Sequence, residues 1–138
     1  SKILKLVSGQ KKILSIHSRK AEKEVLELLV KNNIKSAIFH WYSGGLNSIK
    51  EISDAGFYFS INPAMIKSLT GKKIISKIPK SFILTETDGP FISQNGNTLK
   101  PGEVGSVLIY LAREWNISIK DVEDIINSNF SNLIKAIS

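Results

Sequence analysis

Four short runs of apolar and aromatic residues end near positions 17, 40, 61 and 86, spaced by 23, 21 and 25 residues. Each interval holds one strand, one helix and the turns between them. A strand that returns to the same place every two dozen residues through a helix is the βα unit of a parallel sheet, and this rhythm narrows the fold more than any other feature. The runs, such as Ile13-Leu14-Ser15-Ile16-His17 and Ser36-Ala37-Ile38-Phe39-His40, are nearly continuous in their apolar character, which implies strands covered on both faces. The expected class is therefore α/β, with strands at about 12–17, 36–40, 57–61 and 82–86.

The connecting segments carry helical signals. Over 19–32, Ala21, Val25, Leu28 and Leu29 fall on one face with charges opposite. A second helix is expected over 46–55, stopped by Gly56, and residues 1–9 read as the tail of a helix stopped by Gly9. After Asn62-Pro63 comes a short helical piece broken at Gly71, with another turn over 72–77. The stretch 89–102 is rich in Pro, Gly and polar residues and reads as a long loop, a feature that is often functional. Helices over 103–115, 118–127 and 130–137 close the chain, with Ser118 and Asp121 as a start signal.

With 138 residues and 42% apolar against 22% charged content, the chain suits one compact domain and not a disordered segment. The absence of cysteine excludes disulfides, thiolate metal ligands and cysteine nucleophiles, and is compatible with the cytoplasm. No apolar run approaches the roughly 20 residues that span a bilayer, so no membrane association is expected. The opening Ser1-Lys2-Ile3-Leu4-Lys5 is too short and charged for a secretory leader. A net charge of +7, from 19 basic and 12 acidic residues, favours polyanionic partners. The lysines are scattered, however, and solvated helix faces account for them equally well.

The chain's two histidines, His17 and His40, stand at the ends of the first and second strands, and Glu86 and Asp88 at the end of the fourth. In parallel α/β folds the chemistry sits at the carboxyl ends of the strands. His17, His40 and Asp88 are thus expected to converge on one metal site. Two imidazole nitrogens and one carboxylate oxygen, with a position left open, suit a hydrolytic zinc, magnesium or manganese centre.

The motifs His17-Ser18-Arg19 with Ala21, Phe39-His40-Trp41-Tyr42-Ser43-Gly44 and Glu86-Thr87-Asp88-Gly89-Pro90 together resemble the TatD-type metal-dependent nucleases, which are amidohydrolase-like (β/α)8 TIM barrels. The resemblance runs from about residue 10 to the C-terminus. The forms His40-Trp41-Tyr42-Ser43-Gly44-Gly45 and Phe59-Ser60-Ile61-Asn62-Pro63-Ala64-Met65 are most similar to the QatD branch, a component of the Qat anti-phage defence system. The resemblance implies that residues 1–138 form a single domain, the C-terminal half of the barrel (strands 5–8 and their helices). The family's His-x-His pair and its metal-binding Glu belong to an N-terminal half absent from this chain. The family's Asn-x-Pro reads Leu99-Lys100-Pro101 here, and Trp41 stands where a Cys is common.

By this likeness His17, His40 and Asp88 would hold a divalent metal, Asp88 would also take a proton from the attacking water, and the reaction would be phosphodiester hydrolysis of DNA. The implied partners are DNA, the other barrel half or a second chain supplying it, and other Qat proteins. Several residues keep two readings. Glu86 would orient a metal ligand or simply end the strand as a carboxylate. Arg19 would grip a substrate phosphate or pair with Glu22. Ser43 and Gly44 would offer amides to a phosphate or merely open a helix. Trp41 and Tyr42 would stack on bases or pack. The alternative to an enzyme is a half-barrel kept as an interaction or nucleic-acid-binding subunit, its unpaired sheet edges favouring association with another chain.

Overall fold

The computed structural model describes residues 2–89, 91, 93–98, 100 and 102–138. Four strands, β1 (Leu14–Ile16), β2 (Ala37–His40), β3 (Tyr58–Ile61) and β4 (Ile83–Thr85), form one parallel sheet in the order β1-β2-β3-β4. The register pairs Ile16 with Phe39, Phe39 with Phe59 and Phe59 with Ile83, so one row of side chains crosses the sheet. Phe39, Phe59 and Ile83 in that row are fully buried. The helices α2 (Glu22–Lys31), α3 (Leu46–Asp54) and α4 (Leu69–Lys77) cover this face with Leu29, Ile49, Ile52, Ile74 and Ile75. Burying a side chain of this size contributes about 1.5–3 kcal/mol, so this layer carries the core.

The opposite face bears Ser15, Ile38, Tyr58, Ser60 and Leu84, alternate positions along the same strands. It is covered in part by α6 (Ile119–Lys135), which follows α5 (Gly105–Trp115) and places Leu133 against Tyr58 and Leu84. Asn129 fixes this helix by donating from Nδ2 to the carbonyls of Lys80 and Ile83, each at 2.8 Å, and Ser36 Oγ donates to the Leu133 carbonyl at 2.9 Å. Between α6 and the sheet a cleft of about 380 Å³ remains, lined by Ser15, Ile38, Ser60, Glu86, Ile126 and Phe130. Among the described residues, β1 and β4 each pair with one neighbour only, so the sheet keeps two open edges. No helix of the described residues is long and apolar enough to cross a membrane.

The structure corrects three local expectations. Gly71 does not break a helix: it lies in the first turn of α4, where its amide donates to the Ser68 side chain that caps the helix. The segments 118–127 and 130–137 are one helix, because Asn129 spends its amide on tertiary acceptors and does not compete with its own backbone. The Ser118–Asp121 start is a full capping box, as the spacing predicts. The 89–102 loop contains a small hairpin, β5 (Ser93–Gln94) and β6 (Asn97–Thr98), turned by Asn95 and Gly96, both at positive φ. Pro90, Leu99 and Pro101, which figure in the sequence motifs, lie outside the described residues. Helix α1 (Lys2–Val7) is a short piece with no buried residue.

Gly71 is required by space and not by backbone conformation. A β-carbon there would stand 2.1 Å from the Met65 carbonyl oxygen, a backbone atom that cannot swing aside. Gly71→Ala is therefore expected to destabilise the fold by about 1–3 kcal/mol. Gly105→Ala at the start of α5, where a β-carbon meets nothing within 4 Å, should be neutral or stabilising by up to about 1 kcal/mol. Paired thermal melts of the two variants check the contrast.

Candidate active site at the carboxyl ends of the strands

The parallel register brings the ends of β2, β3 and β4 together, and one carboxylate joins them. Glu86 follows β4 directly, with its amide donating to the Ile61 carbonyl at 2.9 Å, so the ladder extends to it. Its Oε2 accepts from Ser60 Oγ and from His40 Nδ1, and its Oε1 accepts from Asn62 Nδ2 at 3.0 Å. Burial pushes the Glu86 carboxyl above the usual range, while the Ser60 and Asn62 bonds and the neighbouring His40 pull the other way. The group is thus a desolvated carboxylate supported from three directions. Glu86 thus contacts His40 directly, at the end of the strand that it closes.

His40 bridges two carboxylates. Its Nδ1 meets Glu86 and its Nε2 stands 2.9 Å from Asp88 Oδ1. The His17 ring meets the His40 ring edge-on, with centroids 4.4 Å apart. The three predicted ligands His17, His40 and Asp88 are therefore neighbours at one end of the sheet, with His17 exposed and the other two half-buried. Among the described residues no group of three or more His, Asp or Glu side chains is already arranged to hold a metal ion. The pair His40–Asp88 does fit one chemically. Ligand bonds of 2.0–2.2 Å at tetrahedral angles put neighbouring donors about 3.3–3.6 Å apart, so the 2.9 Å contact would open by a few tenths of an ångström around an ion. With Nδ1 committed to Glu86, Nε2 is the nitrogen turned to Asp88.

The backbone is strained at this end. Trp41, directly after β2, and Asp88, three residues after β4, have φ of 43° and 50°. Left-handed conformations cost roughly 1 kcal/mol or more outside glycine, and such residues gather at functional sites. In this conformation Asp88 receives the Phe91 amide on its carbonyl at 2.9 Å, which shapes the turn that carries its side chain.

The secondary candidates separate. Arg19 is exposed and, among the described residues, makes no ion pair, so the pairing with Glu22 weighed from sequence is not formed. Glu22 reaches elsewhere: its Oε1 accepts the Gly45 amide at 2.8 Å. The amide that opens α3 is thus already bonded within the chain, and the Ser43-Gly44-Gly45 turn is held as a helix start. A β-carbon on Gly44 would lie 2.5 Å from the Glu22 carboxyl carbon. Tyr42 packs in the core, edge-on to Phe39 and Phe59, and its hydroxyl donates to the Gly45 carbonyl at 2.8 Å. It is therefore a packing residue, while Trp41 is half-buried against the same core. Sequence reasoning missed Ser60, Asn62 and Glu22. Ser60 was detectable in principle, since it stands directly across from His40 in the register.

The family model for TatD related DNases matches residues 1–135. This chain belongs to the TatD related DNase family. Among TatD relatives, an uncharacterised metal-dependent hydrolase of Methanocaldococcus jannaschii is 28% identical over 97% of this chain and 53% of its own length. One of Buchnera aphidicola is 31% identical over 89% and 49%. Deoxyribonuclease TATDN3 of Homo sapiens is 26% identical over 84% and 43%. The chain thus spans about half the length of the curated relatives it matches. In fold it is similar to the TatD homologue YJJV of Escherichia coli, with a TM-score of 0.79 at 19% identity, over 94% of this chain and 52% of that one. A TatD family hydrolase of Entamoeba histolytica gives a TM-score of 0.81 at 14% identity, over 96% and 54%. The α/β fold with a parallel sheet is shared with these proteins.

The buried phenol beside this site offers a test of its electrostatics. Burial, with Glu22 nearby, pushes Tyr42 from 10.0 up to about 12. A raised native pKa means the unfolded chain ionises first, so stability is intact below pH 10 and falls as pH rises towards 12. Phenolate absorbance should show Tyr42 ionising together with alkaline unfolding; ionisation near pH 10 with the fold intact would contradict this packing.

Proposed function

We propose that this chain is the strand 5–8 half of a TatD-like (β/α)8 barrel and carries part of the site of a metal-dependent phosphodiester hydrolase acting on DNA. The observation that carries the reading is His40 held between Glu86 and Asp88, with His17 against it, at the carboxyl ends of an open-edged parallel sheet. Residues 1–138 would act as one domain, and four further βα units, on the same polypeptide or another, would close the sheet edges and add the remaining ligands.

In this reading His17, His40 and Asp88 hold a divalent ion: zinc, magnesium or manganese. When bound, such an ion polarises the phosphoryl oxygen and makes water acidic enough to react near neutrality. Asp88 accepts the proton of the attacking water at a carboxylate oxygen. Glu86 keeps His40 in the ring orientation that turns Nε2 towards Asp88. Arg19, which makes no ion pair among the described residues, takes a non-bridging phosphate oxygen through its guanidinium fork. Ser43 and Gly44 form the adjoining rim along the DNA strand, Gly44 leaving room for the Glu22 carboxylate that holds the turn.

Within the family the sequence His40-Trp41-Tyr42-Ser43-Gly44-Gly45 supports placement near the QatD branch. Anti-phage defence, association with other Qat proteins and a cytoplasmic setting belong to this proposal. The two open edges and the +7 charge favour a second reading, a half-barrel subunit that binds nucleic acid or a partner without cutting.

Cleavage assays on the full-length protein with any co-purifying polypeptide distinguish them. The enzyme reading expects chelator-sensitive DNA hydrolysis that falls by about 10²-fold or more in Asp88→Asn and is lost in His40→Ala, with DNA affinity little changed. Metal-independent binding, with no cleavage and no effect of either substitution, supports the subunit reading.

A further inference from the structure

The Glu86 carboxylate is held by two side chains, Ser60 and Asn62, to which the sequence motifs assign no role. Asn62 is fully buried, directly after β3. Its Oδ1 accepts the amides of Ala64 and Met65, both at 3.0 Å, which uses both acceptor positions and fixes the amide plane. That leaves Nδ2 aimed at Glu86 Oε1, at 3.0 Å. Ser60, two residues earlier on the same face of β3, is buried and donates to Glu86 Oε2, the oxygen that also meets His40. The chain of contacts runs from the Ala64–Met65 turn through Asn62 to Glu86, on to His40 Nδ1, and ends at Nε2 facing Asp88.

We propose that Ser60 and Asn62 are positioning residues that fix the Glu86 carboxylate, and through it the ring orientation of His40. This rests on the reading of His40 and Asp88 as metal ligands. The physical case is a matter of directions. A carboxylate with one partner rotates; one with a donor on each oxygen from a rigid strand does not. Ser60 sits opposite His40 in the register, so its hydroxyl and the imidazole converge on one oxygen. Asn62 holds the other oxygen, and its own rotation is blocked by the two backbone amides. Loss of either donor frees the carboxylate to turn, and His40 with it.

Three variants separate this role from a structural one. Asn62→Asp keeps acceptors for the Ala64 and Met65 amides but removes the donor to Glu86. Ser60→Ala removes a hydroxyl, and Ser60→Thr restores it. The first readout is the ¹⁵N resonances of the His40 ring in full-length protein without added metal. Both Asn62→Asp and Ser60→Ala should shift them, with Ser60→Thr close to wild type. The second is Mn²⁺ affinity by calorimetry, expected to weaken about tenfold or more in Asn62→Asp and Ser60→Ala. Unchanged His40 resonances in both variants overturn the positioning role. If instead the resonances shift while His40→Ala and Asp88→Asn bind Mn²⁺ like wild type, the positioning stands and the metal-ligand reading falls. Should Asn62→Asp fail to fold, Ser60→Ala and Ser60→Thr decide alone.

Discussion

The site depends on a carboxylate that the fold has taken out of water. An ionised Glu in a desolvated position is unfavourable unless hydrogen bonds replace its solvation. Glu86 meets that condition with donors from β2 and from the β3 strand and its following turn. The same bonds tie together the ends of three strands, so the interaction that settles the charge also sets the geometry. If one partner is removed the remaining groups keep the desolvation cost without its compensation, which makes such networks fragile to single changes. Here that fragility coincides with the place where the backbone is strained, at Trp41 and Asp88.

The two faces of the sheet behave differently. The face under α2, α3 and α4 is a closed apolar layer whose aromatic rings, Phe39, Phe57, Phe59 and Tyr42, lie within 6.4 Å of one another in successive contacts. The other face is mixed: Leu133 seals one end, while a cleft opens towards Ser60 and Glu86 at the other. A parallel sheet is ordinarily buried on both sides. The open edges and the partly covered face therefore belong with the family relationship, in which the matched relatives are about twice as long. They give the proposed barrel closure its physical motive, since unpaired strand edges and half-covered apolar surface both favour further association.

Much of this was legible in the sequence, for identifiable reasons. The strands could be located because parallel strands read as short apolar runs between turn signals, and the position of His17, His40 and Asp88 at one end follows from the topology alone. From sequence, α6 reads as two helices over 118–127 and 130–137; only tertiary acceptors on Lys80 and Ile83 reveal why Asn129 belongs inside a single helix. The hairpin Ser93–Thr98 was hidden in a polar loop, its Asn95-Gly96 turn being flanked by too little β-forming sequence. Glu22, Ser60 and Asn62 were missed because their partners lie more than twenty residues away, a distance at which spacing carries no information. Of the two readings open for Arg19, the local pairing with Glu22 is not formed among the described residues, because Glu22 accepts the Gly45 amide instead.

The central claim is that His17, His40 and Asp88 share one divalent ion at the carboxyl ends of the strands. Its most direct test is an anomalous-difference map from crystals of the full-length protein grown with Mn²⁺. The account predicts a peak beside His40 Nε2 and Asp88 Oδ1, within bonding distance of His17, with Glu86 still on His40 Nδ1. A well-occupied map with no peak there, or a peak elsewhere with His40 Nε2 bonded only to Asp88, would contradict it.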